Sequence, residues 1–258
     1  KAYKELCNRV LAKGRKYKTL AVIGESGYAL RLAAAIVDAG NKVLFVDADV
    51  TTPVFMGKYR LGKNLEGLCE YLDGTQDDDK IRCLTNRSDL NIIFSGESSR
   101  QTLSQNDEDR LRKFLDDNMD DYDYIIIDCP PSLNMLTVNA MTTADTVLVP
   151  IQCEYYALEG ISQLIHTIDL VQERLNPDLK MEGVVFTMYD SRTNLSNEVV
   201  DNVKNNLHTT IYKTIIPRNV RLAEAPSHGL PINLYDSRSA GAESYRLLAK
   251  EVIDREDI

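Results

Sequence analysis

Short apolar runs alternate with longer amphipathic stretches along almost the whole chain. Several of the runs are apolar at every position, which is typical of strands covered on both faces. The predicted strands are Lys18–Ile23, Lys42–Asp47, Leu90–Phe94, Tyr124–Asp128, Thr146–Pro150, Glu182–Met188 and Ile211–Ile216. The predicted helices are Tyr28–Ala39, Asp107–Asn118, Leu133–Thr143, Ala157–Leu175, Leu195–Asn206 and Ala240–Arg255. This alternation predicts an α/β fold, with a mostly parallel sheet and helices on both faces.

The composition is that of a globular protein with a sizeable core, since 43% of the 258 residues are apolar. No Pro- or Gly-rich linker divides the sequence, so residues 1–258 are predicted to form a single domain. The longest apolar runs are too short to cross a bilayer. The five cysteines include no CxxC pair, which favours reduced thiols in a cytoplasmic protein. The net charge of −9 argues against a globally basic nucleic-acid binder but permits a local basic patch.

Acidic residues lie at the ends of two buried strands. Asp47 and Asp49 are two residues apart and so lie on the same side of the first strand, and Asp128 ends the second just before two prolines. Acids at the carboxyl ends of parallel strands can hold Mg²⁺ through water molecules and orient an attacking water. Each acid alone could instead cap the loop or helix that follows it. The occurrence of all three on two aliphatic strands favours the metal and catalytic interpretation.

From Tyr122 onward, the sequence resembles the ParA/Soj family of DNA-segregation ATPases. The stretch DYIIIDCPPSLNMLTVNAMTTADTVLVP is similar to that family's Walker B strand, second switch region and following strand. The stretch TIIPRNVRLAEAPSHGLPINLYDSRS is similar to its C-terminal third. The resemblance implies a deviant-Walker P-loop NTPase fold, ATP and Mg²⁺ as cofactors, and a homodimer. It also implies non-specific DNA and a centromere-binding ParB-like protein as partners, with a location at the nucleoid.

The resemblance assigns roles to individual residues of this chain. Asp47 and Asp49 become the acids of the Walker A′ strand, with Asp49 at the position associated with hydrolysis. Asp128 becomes the Walker B acid. The candidates to hold Mg²⁺ through water are therefore Asp47 and Asp128. The catalytic candidates are Asp49 and Asp128. Pro217 and Arg218 fall in the loop that packs beside adenine in ParA-like proteins.

Arginines near the C-terminus are the candidates for DNA binding. Arg192 and Arg221 match arginines that bind non-specific DNA in Soj-like proteins, and a guanidinium paired with phosphate suits attachment without sequence preference. The alternative is that both are ordinary surface or salt-bridged arginines. Cys129 adjoins a family motif position, and a small buried thiol is the preferred interpretation over a cluster ligand.

The N-terminal part carries a different resemblance. KAYKELCNRV and VDADVTTPVFMGKYRLGKNLEGLCEYLDG are similar to the bacterial tyrosine kinases of capsule synthesis, which belong to the same superfamily. After the second acid, ParA-like chains usually read Asp-Pro-Gln-Gly-Asn, whereas this chain continues with Val50 to Pro53. The sequence therefore reads as a mosaic of the two families.

The phosphate loop departs from the family pattern. Between the first strand and the first helix stand only Gly24, Glu25, Ser26 and Gly27. A family loop reads roughly Lys-Gly-Gly-x-Gly-Lys-Thr-Thr, and alignment on the helix puts Glu25 at the second lysine and Ser26 at the Mg²⁺-binding threonine. Replacing that lysine with a carboxylate changes the interaction with phosphate by several kcal/mol, at about 4 kcal/mol for each unit charge. The nucleotide-binding candidates are therefore Gly24, Ser26 and Gly27, in a turn too short to wrap a triphosphate.

Three functions remain open at this point. The first is a ParA/Soj-type partition ATPase, and the second is a nucleotide-independent relative that keeps the fold and the DNA face. The third, a capsule-type tyrosine kinase domain, is weaker because it needs the same phosphate loop and because the C-terminal EVIDREDI holds no tyrosine cluster. A membrane-targeting MinD-type relative is disfavoured by the same acidic C-terminus. The sequence indicates membership of the ParA/Soj family, with the biochemical behaviour of a nucleotide-independent relative.

Overall fold

The strands and helices of a computed structural model follow the order expected of an α/β chain. The structure describes residues 18–24, 27–50, 65–96, 105–130, 135–154, 157–207 and 209–255. The strands are β1 Thr19–Ile23, β2 Val43–Asp47, β3 Arg82–Leu84, β4 Leu90–Ile93, β5 Tyr124–Cys129, β6 Thr146–Gln152 and β7 Lys180–Thr187. The helices are α1 Tyr28–Asp38, α2 Leu68–Asp73, α3 Asp78–Ile81, α4 Gln105–Asn118, α5 Met135–Thr143, α6 Ala157–Arg174, α7 Asn194–Asn206, α8 Val220–Glu224, α9 Ile232–Tyr235 and α10 Ala240–Arg255. A 3-10 turn, Ala225–His228, joins α8 to the segment before α9.

The strands form a sheet in the order β3-β4-β2-β5-β1-β6-β7 within the described residues. Every neighbouring pair is parallel except β3 and β4, which are antiparallel. The prediction of a mostly parallel sheet is confirmed. The central strands β1, β2 and β5 are buried at every position, as strands with helices on both faces must be.

Two apolar cores lie on opposite faces of the sheet. Successive residues of a strand point to opposite faces, so Ile125 and Ile127 of β5 join one core while Tyr124 and Ile126 join the other. The first core also takes apolar residues from α4, α5 and α6, and the second takes those of α1 and α10. The helices therefore cover both faces, and the carboxyl ends of the parallel strands meet at one edge.

The predicted strand Ile211–Ile216 is wrong. This segment makes isolated parallel bridges to the β7 side, Val184 to Ile211 and Tyr189 to Pro217, and the Ile216 N–H donates to the Phe186 carbonyl at 2.8 Å. The reason is that two of its amides have another acceptor. The N–H groups of residues 213 and 214 donate to the carboxylate of Glu251 in α10, at 2.9 and 3.0 Å. The segment lies beside β7 without extending its ladder.

The short elements are those that the apolar pattern did not predict. Strand β3 has three residues and Leu84 is 81% exposed, so no buried alternation marks it. Helices α2, α3, α8 and α9 have four to six residues each, too few to show a helical period. The predicted long helices are present, with ends that differ by up to two residues, and residues 133 and 134 of the predicted Leu133–Thr143 lie outside the described part. No helix among the described residues is long and apolar enough to span a membrane.

Candidate functional site at the carboxyl edge of the sheet

The three predicted acids come together where β2 and β5 end. Asp47 and Asp128 are register partners on these neighbouring strands, and both side chains are buried. The backbone N–H of Ala48 donates to the Asp128 carbonyl at 3.0 Å, which holds the chain after β2 beside β5. Asp49 is also buried, and its N–H donates to Oδ1 of Asp47 at 3.1 Å. The sheet thus builds an acidic cluster of the kind expected from the sequence.

Burial dominates the electrostatics of Asp47. It raises the pKa of Asp47 to about 7, against a smaller lowering by the Asp49 backbone hydrogen bond and by Ser95. The other carboxylate oxygen, Oδ2, has no hydrogen-bond partner among the described residues, and the buried Ser95 hydroxyl has none either. Ser95 is therefore close enough to favour the charged form without a hydrogen bond of ordinary geometry. Within the described part of the chain, two polar atoms, one at the end of β2 and one after β4, are left unsatisfied, a costly arrangement in a protein interior.

Cys129 lies beside these acids as a free, buried thiol. Burial, with added repulsion from Asp128, Asp47 and Asp49, raises the pKa of Cys129 well above its usual value. Its sulfur donates only a long contact of 3.9 Å to the Ile127 carbonyl. A thiol held neutral in this way is not a nucleophile, in agreement with its interpretation as a core residue.

The acidic cluster fits a hydrated cation better than a directly bound one. Within the described residues, no group of three or more His, Cys, Asp or Glu side chains is arranged to hold a metal ion. The unsatisfied Oδ2 of Asp47 and the Ser95 hydroxyl are what a bound water molecule would satisfy. Magnesium held through water by Asp47 and Asp128 stays a prediction.

The structure describes the two ends of the turn between β1 and α1, at Gly24 and Gly27. The N–H of Gly24 donates to the Cys129 carbonyl at 3.1 Å, so it continues the β1–β5 ladder instead of facing a ligand. Its Cα packs against the Pro150 ring, where an added Cβ would lie 3.2 Å from two ring carbons. Gly27, with φ of 107°, already begins α1. Residues 25 and 26, including the predicted contact Ser26, lie outside the described part.

The predicted adenine-side residues lie at the end of β7. Pro217 forms a parallel bridge with Tyr189, and the N–H of Arg218 donates to the Tyr189 carbonyl at 2.8 Å. Met188, between β7 and this bridge, adopts φ of 53°, a left-handed conformation that is unusual for a residue with a side chain. The chain therefore turns sharply at this point and brings the loops after β7 and before α8 side by side.

The two predicted DNA-binding arginines are exposed but already paired with carboxylates. Arg192, 86% exposed at its side chain, donates from Nε and Nη2 to the two oxygens of Asp190 at 2.9 and 2.7 Å. These hydrogen bonds lower the pKa of Asp190 to about 2. Arg221 donates to Glu224 at 2.9 Å and approaches Asp236 at 3.4 Å. A DNA phosphate would have to compete with these acids.

Two residues near the site were not singled out in the sequence. Ser95 follows β4 at the same edge as Asp47, and its signal was its position after a buried strand. Arg31 is a charged residue inside the apolar run of α1, and its guanidinium lies about 3.5 Å from where a Cβ of Gly27 would be. The signal for Arg31 was a basic residue among apolar positions of α1, whose other charged residue, Asp38, lies at the exposed end of the helix.

Comparison with known proteins covers nearly the whole chain. A family model described as "AAA domain" matches residues 22–181. The sporulation initiation inhibitor protein Soj of Bacillus subtilis is 46% identical over 241 residues, covering 89% of this chain and 93% of that protein. The chromosome partitioning protein ParA of Myxococcus xanthus is 43% identical over 242 residues, covering 91% of this chain and 85% of that protein.

A solved structure shares the fold and carries ligands. Cobyrinic acid a,c-diamide synthase from Mycobacterium smegmatis, with bound ADP and magnesium, has a TM-score of 0.74 at 30% identity. The match covers 91% of this chain and 93% of that one. Nucleotide and magnesium are thus present in a protein with this architecture.

Proposed function

We propose that this chain, which belongs to the ParA/Soj family and is a ParA-type partition protein, acts without holding ATP tightly. Its fold is that of the family, and its acidic cluster is in place at the ends of β2 and β5. The phosphate-binding turn is the part that departs from the family. The protein is therefore proposed to be a nucleotide-independent scaffold that keeps the family's DNA face.

The observation that carries this proposal is the hydrogen bond of Gly24, at the start of the β1–α1 turn. A phosphate cradle needs several backbone N–H groups that point to the ligand, and the Gly24 N–H is engaged with Cys129 inside the sheet. Four residues separate the strand from the helix, and no lysine is among them. The carboxylate of Glu25 adds repulsion to the loss of the lysine.

ATP with Mg²⁺ at millimolar concentration is expected to leave the melting temperature of this protein unchanged. A nucleotide present at a hundredfold excess over its Kd would stabilise the folded state by about 2.7 kcal/mol, a shift of roughly several degrees for a chain of this size. Differential scanning calorimetry measures the effect directly. The Bacillus subtilis relative, in the same buffer, is the matched comparison. A clear upward shift for this chain would overturn the proposal and restore an ATP-binding protein.

The proposed partners follow from the family. Non-specific DNA is proposed to bind at the loops after β7 and around α8, which the Tyr189–Pro217 bridge brings side by side. A centromere-binding ParB-like protein and a second copy of this chain are proposed as protein partners. Because both arginines are paired with acids and the chain carries a net charge of −9, the affinity for DNA is expected to be weak and to fall steeply with salt.

Replacing Arg192 and Arg221 together with alanine is expected to abolish binding to duplex DNA at low salt. Each lost phosphate contact makes the negative slope of log K against log salt shallower by about 0.9. The melting temperature of the variant is expected to match that of the parent, as for other surface substitutions. Fluorescence anisotropy of labelled duplex DNA over a salt series gives both the affinity and the slope.

Two further variants sharpen this test. Arg246→Ala removes another exposed, carboxylate-paired arginine, on α10, and is expected to leave DNA binding unchanged. Asp190→Asn releases Arg192 from its ion pair and is expected to strengthen binding. If the double arginine variant binds DNA as well as the parent, the arginines are ordinary surface residues and the DNA assignment fails.

A further inference from the structure

The helix that carries Arg221 has a carbonyl that its own backbone cannot satisfy. In an α-helix the carbonyl of Leu222 would accept from the N–H of residue 226, and residue 226 is a proline, which has no N–H. The N–H of Ala225 is used by the Arg221 carbonyl instead. The five-residue helix α8 therefore supplies no backbone donor of its own for the Leu222 carbonyl.

Arg31 supplies this donor from the other end of the sequence. Its Nη2 donates to the Leu222 carbonyl at 3.1 Å, across 191 positions of the chain. A cation near the last carbonyls of a helix is also favoured by the helix dipole. The same guanidinium lies beside Gly27 and 5.8 Å from the centre of the Tyr28 ring. Arg31 thus joins the start of α1 to α8.

The rest of α8 is held at its start and along its buried side. The Asn219 side chain accepts from the N–H groups of Arg221 and Leu222, and the Leu222 side chain packs so tightly on α10 that a Cβ on Gly241 would lie 2.5 Å from its Cγ. The contact with Arg31 is a third restraint, and it acts on the carbonyl side. Its loss would leave a half-buried carbonyl without its donor.

We propose that Arg31 is the positioning residue for Arg221: by donating to the Leu222 carbonyl, it fixes α8 so that Arg221 is presented to DNA phosphate. This inference rests on the proposed DNA-binding function. Arg31 is half-buried and acts through α8 without touching DNA. Because its guanidinium also borders Gly27, the turn that binds phosphate in the family and the DNA face are linked in this chain by one side chain.

The first test needs no DNA. Arg31→Gln is expected to speed amide hydrogen exchange in residues 220–224 by about tenfold, the factor that corresponds to about 1.4 kcal/mol for a lost hydrogen bond to a charged donor. The matched control is Arg112→Gln, which removes an arginine that donates to a backbone carbonyl, that of Thr142, at the same 3.1 Å. The control is expected to leave exchange in 220–224 unchanged. Unchanged exchange in Arg31→Gln would overturn the proposal.

The second test is a double-mutant cycle on DNA affinity. Arg31→Gln in the parent is expected to weaken low-salt binding about as much as Arg221→Ala does, and to weaken it no further in the Arg221→Ala background. If Arg31→Gln weakens DNA binding equally in both backgrounds, Arg31 acts on DNA independently of Arg221. If it does not weaken binding in the parent, α8 needs no such restraint. Either result overturns the positioning role. If Arg221→Ala itself leaves binding unchanged, Arg221 does not contact DNA and the positioning role is overturned, whereas the proposed DNA function fails only if the double variant of Arg192 and Arg221 also binds as well as the parent.

Discussion

Replacing Asp47 with asparagine is expected to stabilise the protein by several kcal/mol above pH 7 and to have little effect near pH 4. Burial raises the pKa of Asp47 from its ordinary value of 3.8 to about 7. Between these values the folded protein keeps a proton that the unfolded chain has lost. The stability contributed by the neutral carboxyl is therefore complete below about pH 4 and is lost as the pH rises through 7. The difference between the two pKa values corresponds to about 4 kcal/mol of stability. Asparagine does not titrate, so the variant keeps this stability as the pH rises.

Urea unfolding of parent and variant across this pH range, with EDTA present to remove bound cations, measures the difference. The asparagine oxygen can still accept from the Asp49 N–H, as Oδ1 of Asp47 does, so the comparison isolates the charge. Asp190→Asn is the matched control, because the pKa of Asp190 is about 2 and its carboxylate stays ionised throughout. The control difference is expected to be flat with pH. A flat curve for Asp47→Asn would show that Asp47 is ionised in the folded protein at neutral pH.

Replacing Gly67 with alanine is expected to lower the free energy of unfolding by about 3 kcal/mol, at the upper end of the range for overpacking. A Cβ on Gly67 would lie 2.2 Å from the Phe94 carbonyl oxygen and 2.6 Å from the Gly96 nitrogen. Both are backbone atoms, so the loop after β4 would have to move. The carbonyls of Phe94 and Ser95 in that loop also accept hydrogen bonds from the Leu68 and Cys69 N–H groups, at 2.8 and 3.0 Å. These hydrogen bonds attach α2 to the sheet.

Gly160→Ala is the control for the loss of a glycine as such. Gly160 lies within α6, and among the described residues no atom beyond its neighbours and its own helix backbone lies within 4 Å of an added Cβ. Alanine there is expected to stabilise the protein by up to about 1 kcal/mol, because glycine is a poor helix residue. Chemical denaturation of both variants measures the change in the free energy of unfolding. The two changes have opposite signs if an added Cβ clashes at Gly67. Equal effects would mean that the loop after β4 accommodates a methyl group.

The parts of the fold that could be predicted from the sequence are those with a repeating apolar pattern. The run that becomes β5, Tyr124–Cys129, is buried at every position. Its acid Asp128 lies beside Asp47, as its place at the end of the predicted strand indicated. The parallel order of the strands followed from the alternation with helices. These features depend on local pattern and on rules of chain connection that hold for many sequences.

The features that could not be predicted depend on contacts between distant residues. The segment before Pro217 has the apolar content of a strand, but Glu251 takes two of its amides. The raised pKa of Asp47 depends on burial, against a smaller lowering that includes Ser95. The contact of Arg31 with Leu222 joins residues 191 positions apart. None of these pairings leaves a periodic signal in the sequence.

The segment beside β7 has a consequence for how the protein resists aggregation. An open strand at the edge of a sheet is a template on which another chain can add a strand. Here the segment around Ile211 pairs with part of β7 and so covers part of that edge. A further strand would have fewer backbone donors to pair with, because the Lys213 and Thr214 N–H groups already donate to Glu251. At this edge of the sheet, Glu251 therefore limits the pairing of a further strand by occupying two backbone donors.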